Sequence, residues 1–215
     1  MPPEIIIAHI SSLSVFIPLC FYFFIKGKRT KDLNLLLVLL LVSMVCDGLS
    51  LLLLQYSINN LPIGNFYFLA QFSILYYLFY THLSRPRAMQ LIYILFVFLC
   101  IVNLVFYQGF NHFNTYSNVA TGIILIGLAL SYFLTLLREM PTVYVYRLPF
   151  LWISFATLTY YGGNFFLFLL GDYLSSEFGG LQAIVWILHN FLNIVKNILF
   201  AIGIWQTCRS VKLST

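Results

Sequence analysis

Seven apolar stretches of 19 to 25 residues, joined by short connections, leave this chain few folds to choose from. They run Ile6 to Ile25, Leu33 to Tyr56, Ile63 to Thr81, Met89 to Tyr107, Tyr116 to Leu137, Leu148 to Leu170 and Leu181 to Trp205. A helix of about 20 apolar residues crosses roughly 30 Å of hydrocarbon, so each stretch is predicted to be a transmembrane helix. Only 8% of the residues are charged, against about 25% in an ordinary soluble domain. A core of that composition would leave too little polar surface to face water. The expectation is an all-α polytopic membrane protein: one transmembrane domain over residues 1–215, a bundle of seven helices, with the lipid bilayer as its first partner. The connections and tails are too short for a folded domain outside the bilayer, and the first stretch lacks the basic start and small-residue cleavage site of a signal peptide.

Orientation follows from the basic residues, because positive loops resist translocation. Lys26, Lys28, Arg29, Lys31, Arg85, Arg87, Arg138, Arg147, Arg209 and Lys212 all fall on one side of the predicted spans. The opposite connections, Ser57 to Pro62, Gln108 to Thr115 and Gly171 to Gly180, hold no Lys or Arg and carry Asp172 and Glu177. This places the N-terminus outside and the C-terminus inside a cell (inner) membrane. The net charge of +5 is explained by anchoring to anionic lipid. No basic run is long enough for a nucleic-acid patch, so no nucleic-acid partner is expected. Cys20, Cys46 and Cys100 lie in spans and Cys208 in the tail, which offers no outer pair for a disulfide.

One acid and one base remain inside the spans, Asp47 and Lys196. Each costs about 2.5 to 3.5 kcal/mol at a helix centre, and such groups face the bundle interior and find partners. Counted from the outer ends of their spans, Asp47 lies roughly 13.5 Å deep and Lys196 roughly 22 Å. Side chains tilt toward the start of their helix, which brings the two toward each other. Either they pair, or Lys196 snorkels to the cytoplasmic boundary while an uncharged Asp47 hydrogen-bonds Ser43 or His189.

Other polar residues gather on single helix faces at 100° per residue. His189, Asn193, Lys196 and Asn197 share one face of the seventh span; Ser43, Cys46, Asp47 and Ser50 one of the second; Ser154, Thr157, Tyr161 and Asn164 one of the sixth. Gln71 and Tyr67 form a shorter pair on the third. Interhelical hydrogen bonding is one explanation. An outward-facing cavity for a small ligand or lipid, with the charged residues at its floor, is the other. Its predicted residues are Asp47, Lys196, His189, Asn193, Asn197, Asn164, Tyr161 and Gln71. Gly162 and Gly163 permit close helix approach, and Pro18 is placed to kink the first span.

No metal-ligand spacing, paired carboxylates or cofactor motif is present in the sequence, so neither an enzyme nor a bound cofactor is expected. A lysine in the seventh of seven helices resembles the topology of retinal proteins. Leu192 stands where the microbial type carries an acid one turn before that lysine, and Asp47 sits in the second helix rather than the third. A second resemblance rests on Tyr160, Tyr161, Gly162, Gly163 and Asn164 in span six and on Asn193, Lys196, Asn197 and Gly203 in span seven. These runs resemble small bacterial seven-helix integral membrane proteins and the seven-helix sensor segments of membrane histidine kinases. That resemblance implies a receptor-like bundle that signals to a separate cytoplasmic or membrane partner, the chain itself running only ten residues past the last span. A small-solute or proton transporter using Asp47 and Lys196 is the first alternative, and a structural subunit of a membrane complex the second.

Overall fold

The computed structural model describes residues 3–24, 29–84, 86–139, 144–177 and 179–212, with side chains at 168, 170–182 and 208–212 outside that description. Lys26, Lys28 and Arg85 therefore lie outside the described residues, as do the side chains of Asp172, Glu177, Cys208, Arg209 and Lys212. The described chain is helical and contains no strand. In order it forms α1 (Pro3–Ser14), α2 (Phe16–Phe24), α3 (Lys31–Gln55), α4 (Leu61–His82), α5 (Pro86–Val102), α6 (Thr115–Glu139), α7 (Pro149–Glu177) and α8 (Gly179–Lys212).

The boundaries have local causes. The predicted first span breaks at Val15, one turn before Pro18, whose ring cannot donate to the Ser14 carbonyl and crowds it. Thr30 caps α3 by accepting from the Leu33 amide at 3.3 Å. At the other end of α3, Ser57 adopts a left-handed φ of 55° and the Ile58 amide reaches back to Leu53 O at 2.9 Å. This is the geometry of a Schellman stop, here without a glycine. α5 ends in a π-turn over Asn103–Tyr107. There Asn103 donates to Gln108 Oε1 and to Ser117 Oγ, both at 3.1 Å, so the widened turn aims an amide at the neighbouring loop and helix.

Two expectations are corrected. The connection placed at Gly171 to Gly180 is helical as far as Glu177 and again from Gly179, and the tail after Trp205 continues as helix to Lys212. A hydropathy window finds the apolar middle of a helix and not its ends, and one glycine costs only about 1 kcal/mol in a helix.

Helix packing closes a ring: α8 lies against α7, α1 and α2; α7 against α6; α6 against α4; α4 against α3; and α3 returns to α1 and α2. α5 hangs outside, holding α4 through the stacked pair Phe72 and Phe96 at 3.7 Å. Its outer face, with Leu91, Ile94, Leu95 and Phe98, is exposed. α1 and α8 run in the same direction, since Ser11 meets Asn193 and Ser14 meets Asn197.

Among the described residues, five segments are long and apolar enough to cross a membrane: Pro3–Phe24, Lys31–Gln55, Pro86–Tyr107, Thr115–Glu139 and Ala183–Thr207. α4 and α7 are long but diluted with polar groups. Those groups point inward: Asn65, Gln71, Ser154, Thr157, Tyr161 and Asn164 are all buried. The least apolar helices thus turn their polar residues to the interior, while an apolar surface suited to lipid faces outward.

The tightest seam is α7 on α8. A Cβ placed on Gly163 would stand 2.7 Å from Leu192 Cδ1 and 2.8 Å from Cδ2, and one on Gly203 would stand 3.2 Å from Pro149 O. A Cβ on Gly162 would meet nothing within 4 Å. Gly163→Val is expected to lower the thermal midpoint of the detergent-purified protein by an amount equivalent to about 1 to 3 kcal/mol. Gly162→Val, carrying the same helix-propensity change, should cost less in the same melting assay.

Candidate functional site

Inside the ring lies a cavity of about 490 Å³. It opens toward the end of the bundle that carries the 56–60 and 108–114 connections, with Asn60, Leu61, His112 and Phe113 at its mouth. Deeper, it is lined by Asp47 and Cys46 of α3, Tyr67 of α4, Tyr160 of α7 and His189 and Asn193 of α8. Asn65 Nδ2 donates to Phe110 O at 2.9 Å and His112 O at 3.0 Å, and Asn59 Nδ2 to Asn111 O at 3.0 Å. Two amides at the start of α4 thereby tie the 110–112 strap beside the opening.

Lys196 sits behind the cavity wall. It is 2% exposed, so it does not snorkel to either boundary. Its Nζ lies 4.4 Å from the centre of the Tyr160 ring and donates to Tyr67 Oη at 3.4 Å. The Tyr67 side chain lies near Ser43, whose Oγ donates to Asp47 Oδ2 at 3.5 Å. Asp47 and Lys196 are therefore not in direct contact: the side chains of Ser43 and Tyr67 stand between them. The two bonds, at 3.4 and 3.5 Å, are long for neutral hydrogen bonds, but each has a charged partner that strengthens it.

The remaining residues of the α8 stripe divide between cavity and packing. His189 Nδ1 meets Asn164 Oδ1 at 3.1 Å, while Asn164 Nδ2 donates to Tyr160 O at 2.8 Å. A backbone carbonyl only accepts, which fixes the Asn164 amide and makes Oδ1 the atom facing the imidazole. His189 Nδ1 then carries the proton. Asn193 Nδ2 donates to Ser11 Oγ at 2.9 Å, and Asn197 Nδ2 to Ser14 Oγ at 2.7 Å. Ser14 in turn donates to Ser11 O at 2.6 Å, which carries the α1–α8 seam through a ladder of amides and hydroxyls.

Of the eight residues singled out in the sequence, Asp47, His189 and Asn193 line the cavity, and Lys196 and Asn164 back residues that do. Asn197 joins helices, and Tyr161 packs edge-on against Tyr160 at 5.0 Å between ring centres. Gln71 is fully buried one turn beyond Tyr67 and does not reach the cavity. Its amide has no hydrogen-bond partner among the described residues. Sequence reasoning missed Ser11, Asn65, Trp186 and the mouth residues. Ser11 and Ser14, three apart on the first span, were the legible signal for the seam; the strap could not be read, because its ties run from α4 to backbone carbonyls.

A second cavity, about 350 Å³, lies at the opposite end of the ring, lined by Asp32, His82, Tyr132 and Glu139 among others. His82 Nε2 and Asp32 Oδ2 are 2.9 Å apart, and the imidazole stacks on Phe150 at 3.8 Å. Among the described residues no group of three His, Cys, Asp or Glu is arranged to hold a metal ion.

In comparison with known proteins, no family model, curated protein or solved structure matches this chain.

Because Ser14 and Asn197 share one buried bond, Ser14→Ala and Asn197→Ala should each lower stability by about 1 to 3 kcal/mol. The double variant is expected to lose clearly less than the sum, as a melting-based double-mutant cycle would read.

Proposed function

We propose that this chain is a seven-span protein of the cell (inner) membrane, N-terminus outside and C-terminus inside. In this reading the cavity faces outward and binds a small molecule or lipid fragment, and the bundle works as a receptor that signals to a cytoplasmic or membrane partner. The observation that carries it is the position of Asp47: it lines the cavity together with Tyr67 of α4, which in turn accepts from a buried lysine on α8. A ligand that engages Asp47 weakens its hold on Ser43 and so alters what Lys196 and α8 are held by. α8 then extends 16 residues beyond Lys196 toward the opposite end, where a partner would read the change. The parallel course of α1 and α8 supports an odd number of spans. The inward polar faces of α4 and α7 support counting both as spans, because lipid would meet only their apolar sides.

A second reading, transport of a small solute or of protons, is favoured by the second cavity, which is built on the same helices at the opposite end. In that case Asp47 and the Asp32–His82 pair serve as binding points on the two faces. Reconstituted protein distinguishes the two readings. Ligand binding without solute or proton flux supports the receptor; flux that collapses in Asp47→Asn supports transport.

Orientation is tested in a variant with all four cysteines replaced. A cysteine introduced at Ser57 or Asn111 should react with a membrane-impermeant maleimide on intact cells, and one at Arg147 only after permeabilisation. The reverse pattern refutes the proposed orientation.

A further inference from the structure

The hydrogen-bonding capacity left over in the first cavity has a clear sign. Asn65 spends both protons of its amide nitrogen on Phe110 O and His112 O. Asn190 Nδ2 donates to Trp186 O at 2.8 Å, and Asn193 Nδ2 to Ser11 Oγ. In three of the four lining asparagines, Asn60 at the mouth being the fourth, the amide nitrogen already donates to the protein while the carbonyl oxygen has its full capacity open. Asp47 adds a carboxylate, and only its Oδ2 is engaged, by Ser43. Among the described residues no Lys or Arg lines the cavity. Its walls are aromatic as well, with Tyr67, Phe68, Tyr160 and Trp186 contributing. An acceptor-rich, carboxylate-bearing pocket with aromatic faces is complementary to a group that donates several N–H bonds and carries positive charge.

We propose that the ligand of this cavity is a small organic ammonium, its head group on Asp47 and the asparagine carbonyl oxygens and its body against the aromatic wall. The proposal rests on the reading of the cavity as a binding site and gives that site its substrate class. Lys196 limits how deep the ammonium sits: it lies behind Tyr67 and Tyr160, and like-charge repulsion holds the ligand at Asp47. The two cations then share one carboxylate, so occupancy loosens the tether on α8.

Three probes of one shape and different charge test this on the detergent-purified full chain: benzylamine, benzyl alcohol and benzoate, each read by its shift of the thermal midpoint. Benzylamine is expected to protect and the other two to have little effect. Asp47→Asn should weaken benzylamine by about tenfold or more, the loss of one charge-assisted contact. Ser50→Asp, which adds a carboxylate to the lining, should tighten it, and this variant decides the sign if Asp47→Asn does not fold. Equal or stronger protection by benzyl alcohol or benzoate overturns the ammonium assignment and leaves the binding-site reading standing. Benzylamine protection unchanged in Asp47→Asn, or no tightening in Ser50→Asp, also overturns the assignment. Protection by none of the three overturns both.

Discussion

An ammonium group enclosed by a helical bundle must be held by something, and in this protein that requirement organises the interior. Lys196 is too deep in the ring to reach water, and each ionised side chain at such depth costs about 2.5 to 3.5 kcal/mol by insertion scales. Three helices share the task of holding it: α7 supplies the face of Tyr160, α4 the hydroxyl of Tyr67, and α3 the opposite charge of Asp47 nearby. A direct ion pair would lock the two charges together behind the wall. The separated arrangement instead leaves Asp47 at the cavity surface.

The packing of the bundle follows from the same constraint. Lipid provides no hydrophobic drive for one helix to leave it for another, so association depends on close approach and interhelical hydrogen bonds. Gly163 and Gly203 supply the first between α7 and α8; Asn193 with Ser11 and Asn197 with Ser14 supply the second between α8 and α1. α8 is thereby gripped on both sides. It is also the helix that carries the lysine.

Much of this was legible in the residues. Apolar length gave the helices, and the 100° periodicity put Asp47, His189 and Asn193 on faces that do converge on one cavity. Pro18 marked the break in the first span. What could not be read was set by contacts between distant segments. Nothing in the spacing of Asp47 and Lys196 reveals that Tyr67 and Ser43 stand between them, and helical periodicity cannot separate Asn193, at the cavity, from Asn197, one turn away in a seam. The ends of α7 and α8 escaped because hydropathy falls before the helix does. Asp32 and His82 looked unrelated at 50 residues apart, until the antiparallel course of α3 and α4 brought them together.

The coupling of Asp47 to Lys196 by way of Tyr67 is tested most directly by a double-mutant cycle on stability, using Asp47→Asn and Lys196→Met in the native background and again with Tyr67→Phe. The account predicts a coupling of about 1 to 2 kcal/mol between the two charges that falls by at least half once the phenol is gone. A coupling that survives Tyr67→Phe intact, or none in the native background, would contradict it.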